Sequence, residues 1–271
     1  IESALGEALG GKEVASALKS YGYTVKSAGQ KVAVQLPPYR NDLLHTVDVV
    51  EDVAISQGYA RFAPVMPSQF TVGGLSRLEQ MADRVRHLMV GLEFQEIISN
   101  IMGSHQDFCT RMRLDGTEWA KVVEVDNVMS LSYSCLRQWI TPSLLQVETN
   151  SSRAFYPHRM FEVGEVAIPD ASADVGSRTV TMLGAVIAHA GAHFSEIHSC
   201  LDLLLYYLDR PFTLEPVDHP SFLDGRAGKI VSNGRVIGLL GELHPEVLEH
   251  WQIGVPAVAL EVEIDRLLEA V

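Results

Sequence analysis

The sequence predicts an α+β protein in which helices gather on one side of an antiparallel sheet. The second half of the chain contains runs of apolar, strand-like segments separated by one or two amphipathic helices. Asn233 and Gly234 separate two of these segments, which is a strong signal of a β-hairpin. A stretch rich in proline and glycine, residues 62–74, separates this part from a smaller one before it.

The smaller part is assigned to residues 1–67. Apolar residues at helical spacing predict a helix over 12–21, and alternation predicts a hairpin over 24–35. A second helix is predicted from residue 46 to the glycine at 58. Helix, hairpin and helix in this order resemble a small winged-helix-like domain.

The larger part is assigned to residues 75–271, after a linker over 68–74. An apolar stripe predicts a long helix over 75–92. The other elements expected here are strands over 94–102, 121–125, 159–168, 179–189, 228–232, 236–240 and 257–264, and helices from 144, over 194–208 and after 244.

Four acidic residues lie close together before and within the predicted helix that starts at residue 46. Asp48, Glu51 and Asp52 have i, i+3 and i+4 spacing, which places them on one helix surface, and Asp42 precedes them in a loop. Carboxylates this close repel one another unless a cation lies between them, and oxygen ligands suit Mg²⁺. The helix dipole alone also favours acidic side chains in a first turn, so the spacing is compatible with a site that has no metal.

The composition limits the classes of protein to which the chain can belong. With 271 residues, 47% hydrophobic and 20% charged, it is long enough for a large core, and no apolar run is long enough to span a membrane. A formal charge of −13 argues against broad nucleic-acid binding. The 3 cysteines are widely spaced, which predicts a reducing, cytoplasmic location. The start at Ile1 indicates a fragment of a longer protein.

Motifs for other chemistries are weak or missing. The sequence has no phosphate-binding glycine loop, nucleophile elbow or HExxH metal motif. His189, His193 and His198 share no helical face, so we interpret them as ordinary histidines. His219 and Ser221 follow an aspartate, but adjacent residues rarely form a catalytic triad, and a turn is expected here.

Six segments, taken in order, resemble one known family over nearly the whole chain. These segments are Pro-Pro-Tyr-Arg-Asn-Asp to Gly-Tyr (37–59), Gly-Leu-Glu-Phe-Gln-Glu (91–96), Leu-Arg to Pro-Ser-Leu-Leu (136–145), Met-Phe-Glu-Val-Gly-Glu-Val (160–166), His-Pro-Ser-Phe to Gly-Arg (219–226) and Gly-Glu-Leu-His-Pro-Glu-Val-Leu (241–248). Their order is similar to that in the phenylalanyl-tRNA synthetase beta subunit, of the archaeal and eukaryotic type.

The resemblance implies a fold, a metal and a partner. It implies a winged-helix-like domain followed by a class II aminoacyl-tRNA synthetase-like antiparallel sheet domain with flanking helices. The chain would be the C-terminal half of the subunit, without the region that holds the tRNA-editing domain. In this family Mg²⁺ is shared with the alpha subunit, and its ligands fall on Asp42, Asp48, Glu51 and Asp52. The whole assembly would be a heterotetramer of two alpha and two beta subunits that binds tRNA.

The resemblance also implies that the larger domain is not catalytic. A working class II core holds ATP phosphates with two arginines. The matching segments here, residues 161–164 and 238–243, contain no arginine, and Arg159 does not match the ligand position. We therefore expect a pseudo-catalytic domain, with amino-acid activation on the alpha subunit.

The resulting hypothesis is a noncatalytic fragment of a phenylalanine–tRNA ligase beta subunit. The first alternative is a free-standing pseudo-synthetase paralogue that binds a small molecule or another protein. A second alternative is a nucleic-acid reader that uses Lys26 and Lys31, although the acidic helix face would repel phosphates. A third is a hydrolase built around His219 or Ser221.

Overall fold

The structure, a computed structural model, describes residues 1–28, 31–69, 71–151 and 153–269. The chain divides into two units, Ile1–Gly73 and Gly74–Val271. Each unit has hydrophobic core residues of its own.

The smaller unit combines short helices with a two-stranded antiparallel hairpin. Its elements are α1 (Glu2–Leu5), α2 (Gly11–Ser20), β1 (Thr24–Ala28), β2 (Lys31–Gln35), α3 (Thr46–Gln57) and a 3₁₀ turn at Tyr59–Arg61. The predictions of α2, the hairpin and α3 are confirmed to within one residue at each end. The hairpin turn expected at Gly29 lies outside the described residues.

The core of the smaller unit forms where α2, α3 and the hairpin meet. Val14 and Leu18 of α2, one helical turn apart, are each 2% exposed, and Val53 of α3 is 1% exposed. Tyr23, just before β1, completes this cluster. The helical periodicity therefore identified the inward side of α2. In α3 it did not, because the predicted apolar residues Val47 and Ile55 are 53% and 44% exposed, whereas Val53 packs inward.

The larger unit contains five α-helices among the residues that the structure describes, besides a π-helical turn at Gln106–Thr110 and a 3₁₀ turn at Leu131–Tyr133. The α-helices are α4 (Arg77–Gly91), α5 (Thr141–Asn150), α6 (Phe194–Tyr207), α7 (Pro245–His250) and α8 (Ile264–Glu269). None of the helices in the described part of the chain has both the length and the apolar character needed to cross a membrane. In α4, Val85 and Met89 of the predicted apolar stripe lie in the core together with Ala82. These three side chains are therefore not available to a partner protein.

The strands of the larger unit form two sheets. The strands are β3 (Gln95–Glu96), β4 (Met102–Gly103), β5 (Val123–Glu124), β6 (Cys135–Leu136), β7 (His158–Pro169), β8 (Ser177–Ala188), β9 (Thr213–Pro216), β10 (Phe222–Ser232), β11 (Arg235–Leu243) and β12 (Ala257–Glu263). The large sheet has the order β3-β7-β8-β12-β11-β10-β9, and the small one has the order β4-β6-β5.

The large sheet is mixed, whereas the sequence predicted an antiparallel one. Strand β3 pairs parallel to β7, and the other neighbours in this sheet are antiparallel. A parallel pair needs a long crossover, and residues 97–157 provide that length. The predicted α+β class is thus confirmed, but the large sheet is mixed rather than antiparallel.

The two faces of the large sheet pack against different layers. Successive strand residues point to opposite faces. Phe161 and Val163 of β7 pack with residues of α4, α6 and α8, on the side we call the helical face. Met160 and Val166 of the same strand pack with residues of α5, on the side we call the α5 face. The prediction that helices gather on one side of the sheet is therefore wrong.

Several predicted boundaries in the larger unit are wrong. The strand expected over 94–102 is two short strands, β3 and β4, which belong to different sheets. Helix α5 begins at Thr141 rather than at residue 144, because proline is well tolerated in a first helical turn. The hairpin around Asn233 and Gly234 is longer than expected, and helix α8 was not predicted.

All three cysteines are free thiols buried in the larger unit. Burial raises the pKa of Cys135 and Cys200 above the ordinary thiol value and raises that of Cys109 to about 12. These thiols are protonated at neutral pH and are therefore poor nucleophiles.

Candidate functional site

The predicted acidic residues lie in the smaller unit and differ in their exposure. Asp42 lies in the loop between β2 and α3, and the other three lie on α3. Asp42 and Glu51 are exposed, Asp48 is half-buried, and Asp52 is only 6% exposed.

Arg40 lies between two of these carboxylates. Its Nε and Nη2 donate to the two oxygens of Asp42 at 2.8 and 2.7 Å, and its Nη1 donates to Asp52 Oδ2 at 3.1 Å. The Tyr23 hydroxyl donates to the same Asp52 oxygen at 2.5 Å. Hydrogen bonds from Arg40 lower the pKa of Asp42, while burial and then Asp52 raise the pKa of Tyr23 to about 12.

Asp48 has a structural role at the start of α3. Its Oδ2 accepts hydrogen bonds from the backbone N–H groups of Leu44 and His45, both at 2.7 Å. The His45 side chain accepts from the backbone of the first turn in return, so the two residues form a capping box. An acidic residue at this position also interacts favourably with the helix dipole.

Glu51 is the least engaged of the four acidic residues. It is exposed, and the distance from the Tyr59 hydroxyl to its Oε1 is 3.4 Å, which is long for a hydrogen bond between oxygens. Its carboxylate is therefore available to a ligand or a partner.

The oxygen ligands of the four acidic residues suit Mg²⁺, but the positions of their side chains do not. Within the described ranges, no three histidine, cysteine, aspartate or glutamate side chains are grouped so that they could hold a metal ion. Arg40 already neutralises Asp42 and Asp52, and Asp48 caps its helix. As arranged here, the four side chains do not fit a shared magnesium ion. An arginine two residues before Asp42 was the signal in the sequence for this pairing.

A second group of charged residues lies inside the larger unit. Arg137 Nη2 donates to Glu162 Oε1 at 2.7 Å, and their side chains are 1% and 4% exposed. The Arg137 Nη1 donates to the Ser99 hydroxyl at 2.8 Å, and that hydroxyl donates to Glu162 Oε2 at 2.5 Å. The Nε of the same arginine donates to the Glu165 carbonyl at 3.0 Å. This network ties the segment after β3 and the segment after β6 to β7.

Gly164 explains part of the Phe-Glu-Val-Gly sequence in β7. A Cβ atom at this position would lie 2.5 Å from Arg137 Nη2 and 2.8 Å from Glu162 Oε1. The guanidinium therefore crosses the strand where a side chain is missing. These residues form one of the segments that carry the family resemblance, but the sequence alone does not show that the glycine makes room for the ion pair.

The side chain of Arg159, the arginine nearest to that motif, lies on the helical face. It alternates with Met160 along β7, so it shares a face with Phe161. Its Nη2 donates to Glu196 Oε1 of α6 at 2.7 Å, and its guanidinium carbon is 5.8 Å from the centroid of the Phe94 ring. Arg159 is therefore held away from the α5 face.

The side chains of His189, His193 and His198 contact three different groups and do not converge on one site. His189 Nε2 lies 2.8 Å from Glu196 Oε2, and His193 Nδ1 lies 2.9 Å from the Gly191 carbonyl. His198 lies near Asp202 of its own helix. Our interpretation of these residues as ordinary histidines agrees with the contacts.

The segment that contains His219 and Ser221 does not form a catalytic triad. Ser221 is fully buried, and its hydroxyl donates to the Met112 carbonyl at 2.5 Å. His219 Nδ1 accepts from the Ser221 backbone N–H at 3.2 Å, so this nitrogen contacts the backbone and not the hydroxyl. The hydroxyl is thus not activated as a nucleophile by this histidine.

Comparison with known families places both units among the tRNA synthetases. Residues 1–59 match the model of the tRNA synthetase B5 domain. Residues 63–264 match the model described as the phenylalanyl tRNA synthetase beta chain CLM domain. The second match covers most of the chain.

Curated relatives give the same result. The chain is 39% identical over 235 residues to the phenylalanine–tRNA ligase beta subunit of Treponema pallidum, covering 87% of this chain and 38% of the relative. It is 40% identical over 251 residues to the beta subunit of Borrelia garinii, and this match covers 93% of the chain and 44% of the relative. It is 39% identical over 268 residues to the beta subunit of Borreliella burgdorferi, and this match covers 99% of the chain and 47% of the relative.

The chain belongs to the phenylalanyl-tRNA synthetase beta chain family. It spans less than half the length of the three relatives. These relatives are bacterial, so they do not support the archaeal and eukaryotic type that the sequence motifs suggested.

Proposed function

We propose that the chain is a noncatalytic part of the beta subunit of a phenylalanine–tRNA ligase. The whole enzyme would attach phenylalanine to its tRNA in a reaction driven by ATP. The observation that carries this proposal is the pair of family matches, B5 and then CLM, which occur in succession over nearly the whole chain. In the cytoplasm, the chain would act as a structural partner of the catalytic alpha subunit.

We assign a winged-helix-like domain to residues 1–67, a linker to 68–74 and a class II synthetase-like domain to 75–271. The helix-hairpin-helix order of α2, β1, β2 and α3 supports the first assignment. The large sheet, in which antiparallel pairs predominate and helices pack on both faces, supports the last.

The contacts of Arg159 support a noncatalytic role for the larger domain. Phosphate binding by an arginine needs a guanidinium that is free to make bidentate hydrogen bonds. Arg159 instead binds Glu196 on the helical face. Arg137 is 1% exposed and is neutralised by Glu162, so it is not available to ATP either.

Exposed apolar side chains support a protein partner, which we propose is the alpha subunit in a heterotetramer of two alpha and two beta subunits. Ile98 is 92% exposed and Leu131 is 81% exposed, and both line one surface cavity of about 630 Å³. Apolar side chains this exposed are often covered by a partner protein. Binding of tRNA is proposed for the whole assembly rather than for this chain.

Reconstitution tests this proposal. The chain is co-expressed with the alpha subunit of the same organism, and the association is measured by size-exclusion chromatography with light scattering. We expect a stable complex, and we expect Ile98→Glu with Leu131→Glu to weaken it at least tenfold. Val175→Glu is the matched control, because Val175 is 81% exposed but does not line that cavity.

The chain alone should show no phenylalanine-dependent exchange between ATP and pyrophosphate. Such exchange by the purified chain would contradict the noncatalytic role. A folded chain that does not associate with the alpha subunit would instead favour a free-standing paralogue.

Magnesium binding at Asp42, Asp48, Glu51 and Asp52 remains a proposal. It is supported by the density of carboxylates and by the exposure of Asp42 and Glu51. Binding that uses all four residues requires Arg40 to release Asp42 and Asp52, for example when a partner provides another acceptor for its guanidinium.

Calorimetry of the chain with MgCl₂, with and without the alpha subunit, tests the metal site. We expect binding only in the complex, and we expect Glu51→Gln to weaken it at least tenfold. Glu7→Gln is the control, since Glu7 belongs to the same unit but pairs with Arg61. Equal magnesium affinity of the complex with and without Glu51→Gln would exclude this site.

A further inference from the structure

The α5 face of the large sheet contains a cavity that the proposed subunit role does not use. Its volume is about 290 Å³, and mainly apolar and aromatic side chains line it. Met182 of β8, Leu239 of β11 and Glu261 of β12 line it from the sheet, and three rings, Trp119, Trp139 and His219, also line it. Concave apolar cavities with a few polar groups are typical of small-molecule sites.

The imidazole of His219 contacts both tryptophans. Its ring centroid lies 4.4 Å from that of Trp119 and 5.5 Å from that of Trp139, with tilted planes. Aromatic groups at these separations attract one another through the edges and faces of their rings. The three rings form a continuous aromatic wall, which a further planar ring can contact in the same way.

His219 provides a hydrogen-bond donor at this wall. Its side chain is 7% exposed, and its Nδ1 accepts a hydrogen bond from the Ser221 backbone. Burial lowers the pKa of His219 to about 4, so the ring is neutral at physiological pH and carries its proton on Nε2. Among the described residues, this N–H group has no hydrogen-bond partner.

Two more residues of the cavity carry polar atoms without partners. Trp139 Nε1 and Glu261 Oε2 are buried and make no hydrogen bond within the part of the chain that the structure describes. The other carboxylate oxygen of Glu261 accepts three hydrogen bonds, from the backbones of Ile140 and Thr141 and from the Thr141 hydroxyl. Most buried polar groups in proteins are paired, so unpaired ones concentrated around one cavity need an explanation.

We propose that this cavity binds a small, uncharged, planar aromatic molecule that carries a hydrogen-bond acceptor. The ring of the ligand would contact the wall of Trp119, Trp139 and His219, and its acceptor would receive the hydrogen bond from His219 Nε2. Glu118, Lys121 and Glu261 also line the cavity, but most of its surface is apolar, which favours an uncharged ligand because burying a charge is costly. This site is independent of the proposed beta-subunit role.

Three probes of similar size distinguish this proposal from unspecific binding. The full chain is titrated at pH 7.5 with benzamide, which has a ring and a carbonyl acceptor, and binding is followed by NMR and tryptophan fluorescence. Cyclohexanecarboxamide keeps the acceptor without the aromatic ring, and toluene keeps the ring without the acceptor. We expect saturable binding of benzamide at one site, at least tenfold tighter than that of either control probe.

Three variants test whether benzamide binds in this cavity. Leu239→Trp should fill the cavity and abolish benzamide binding, and Leu203→Trp, in another surface cavity of the same unit, should leave it unchanged. His219→Phe should weaken benzamide binding at least tenfold but leave toluene binding nearly unchanged. Circular dichroism checks that each variant folds. If His219→Phe does not fold, the result for Leu239→Trp decides whether benzamide binds in this cavity.

The proposal is overturned if the folded chain shows no saturable benzamide binding. It is also overturned if the three probes bind equally, or if Leu239→Trp binds benzamide as the parent chain does. The last two outcomes would indicate unspecific adsorption to apolar surface.

Discussion

Arg137 and Glu162 form an ion pair in the interior of the larger unit, with 2.7 Å between Nη2 and Oε1. The serine hydroxyl of Ser99 and the carbonyl of Glu165 satisfy further polar atoms of the pair. A buried pair of this kind is costly to break because the remaining charge has no partner.

Arg137→Met should therefore lower the free energy of unfolding by about 3–5 kcal/mol. Arg137→Met combined with Glu162→Met should cost less than the sum of the two single changes, because no buried charge remains unpaired. Urea denaturation followed by tryptophan fluorescence measures these differences. As a control, Arg178→Met removes an exposed arginine whose N lies 3.5 Å from an oxygen of Glu263, and Glu263 keeps Arg266 as a partner, so the change should cost under about 1 kcal/mol. Equal losses at Arg137 and Arg178 would show that the buried network does not stabilise the fold.

Glu261 should make the stability of the larger unit depend on pH. Burial raises the pKa of Glu261 from 4.5 to about 7, so between these values the native chain binds a proton that the unfolded chain lacks. Its contribution is present below pH 4.5 and is lost as the pH rises through 7. As the pH rises over this range, the free energy of unfolding of Glu261→Gln should therefore increase by roughly 3 kcal/mol relative to that of the parent chain. A constant difference between parent and variant in urea denaturation from pH 4 to 8 would contradict the assignment.

His219 should have the opposite effect over nearly the same range. Burial lowers its pKa from 6.5 to about 4, so the unfolded chain binds the additional proton. The contribution of His219 is present above pH 6.5 and is lost as the pH falls through 4. His219→Phe should thus gain stability relative to the parent on acidification, and denaturation at pH 4 and 7 measures this. The two residues largely compensate in the parent chain.

Arg40→Met should destabilise the smaller unit, because it leaves Asp52 buried with only the Tyr23 hydroxyl as a side-chain donor. Tyr23→Phe removes one hydrogen bond to a carboxylate and should cost about 2 kcal/mol. The loss should be larger for Arg40→Met. Tyr39→Phe is the matched control, since its hydroxyl is exposed and 3.4 Å from its acceptor.

Amide hydrogen exchange in α2 and α3 is the suitable measurement, because the three tryptophans all lie in the larger unit. Unchanged exchange protection in Arg40→Met would mean that the guanidinium is not needed to hold Asp52 in the core.

Gly238→Ala should strongly disturb the contact between β11 and β12. A Cβ atom at this position would clash with the backbone oxygen of Glu261, which cannot move without breaking the sheet. We expect a loss of at least about 3 kcal/mol in the free energy of unfolding. Gly254→Ala, which has no heavy atom within 4 Å of the added carbon, should be nearly neutral. Thermal unfolding of the two variants makes the comparison.

The sequence predicted the elements whose patterns repeat. Helices α2, α3, α4 and α6 were predicted from apolar residues at helical spacing, and β7 and β8 from apolar, strand-like segments. The segment 94–102 was misassigned because its apolar residues resemble one strand. Ser99, in its middle, instead turns away to bind Glu162 and Arg137. Periodicity carries no information about such long-range polar contacts.

The acidic cluster shows the same limit. Spacing identified the carboxylates that lie near each other, but it did not show that Arg40 and Tyr23 are the partners of Asp52. Tyr23 is distant in the sequence, and the shared core of α2, α3 and the hairpin brings it into contact. The cavity around His219 could not be predicted either, since its rings come from three separate segments.

The three buried cysteines make the larger unit easy to follow by thiol labelling. Cys200 packs on the helical face, and Cys109 and Cys135 pack on the α5 face. Because the thiols are protonated and inaccessible, a maleimide or disulfide reagent reacts with each only when its side of the sheet opens. The order in which the cysteines are modified therefore reports which layer separates first, while opening of the smaller unit, which has no cysteine, leaves no trace in the labelling.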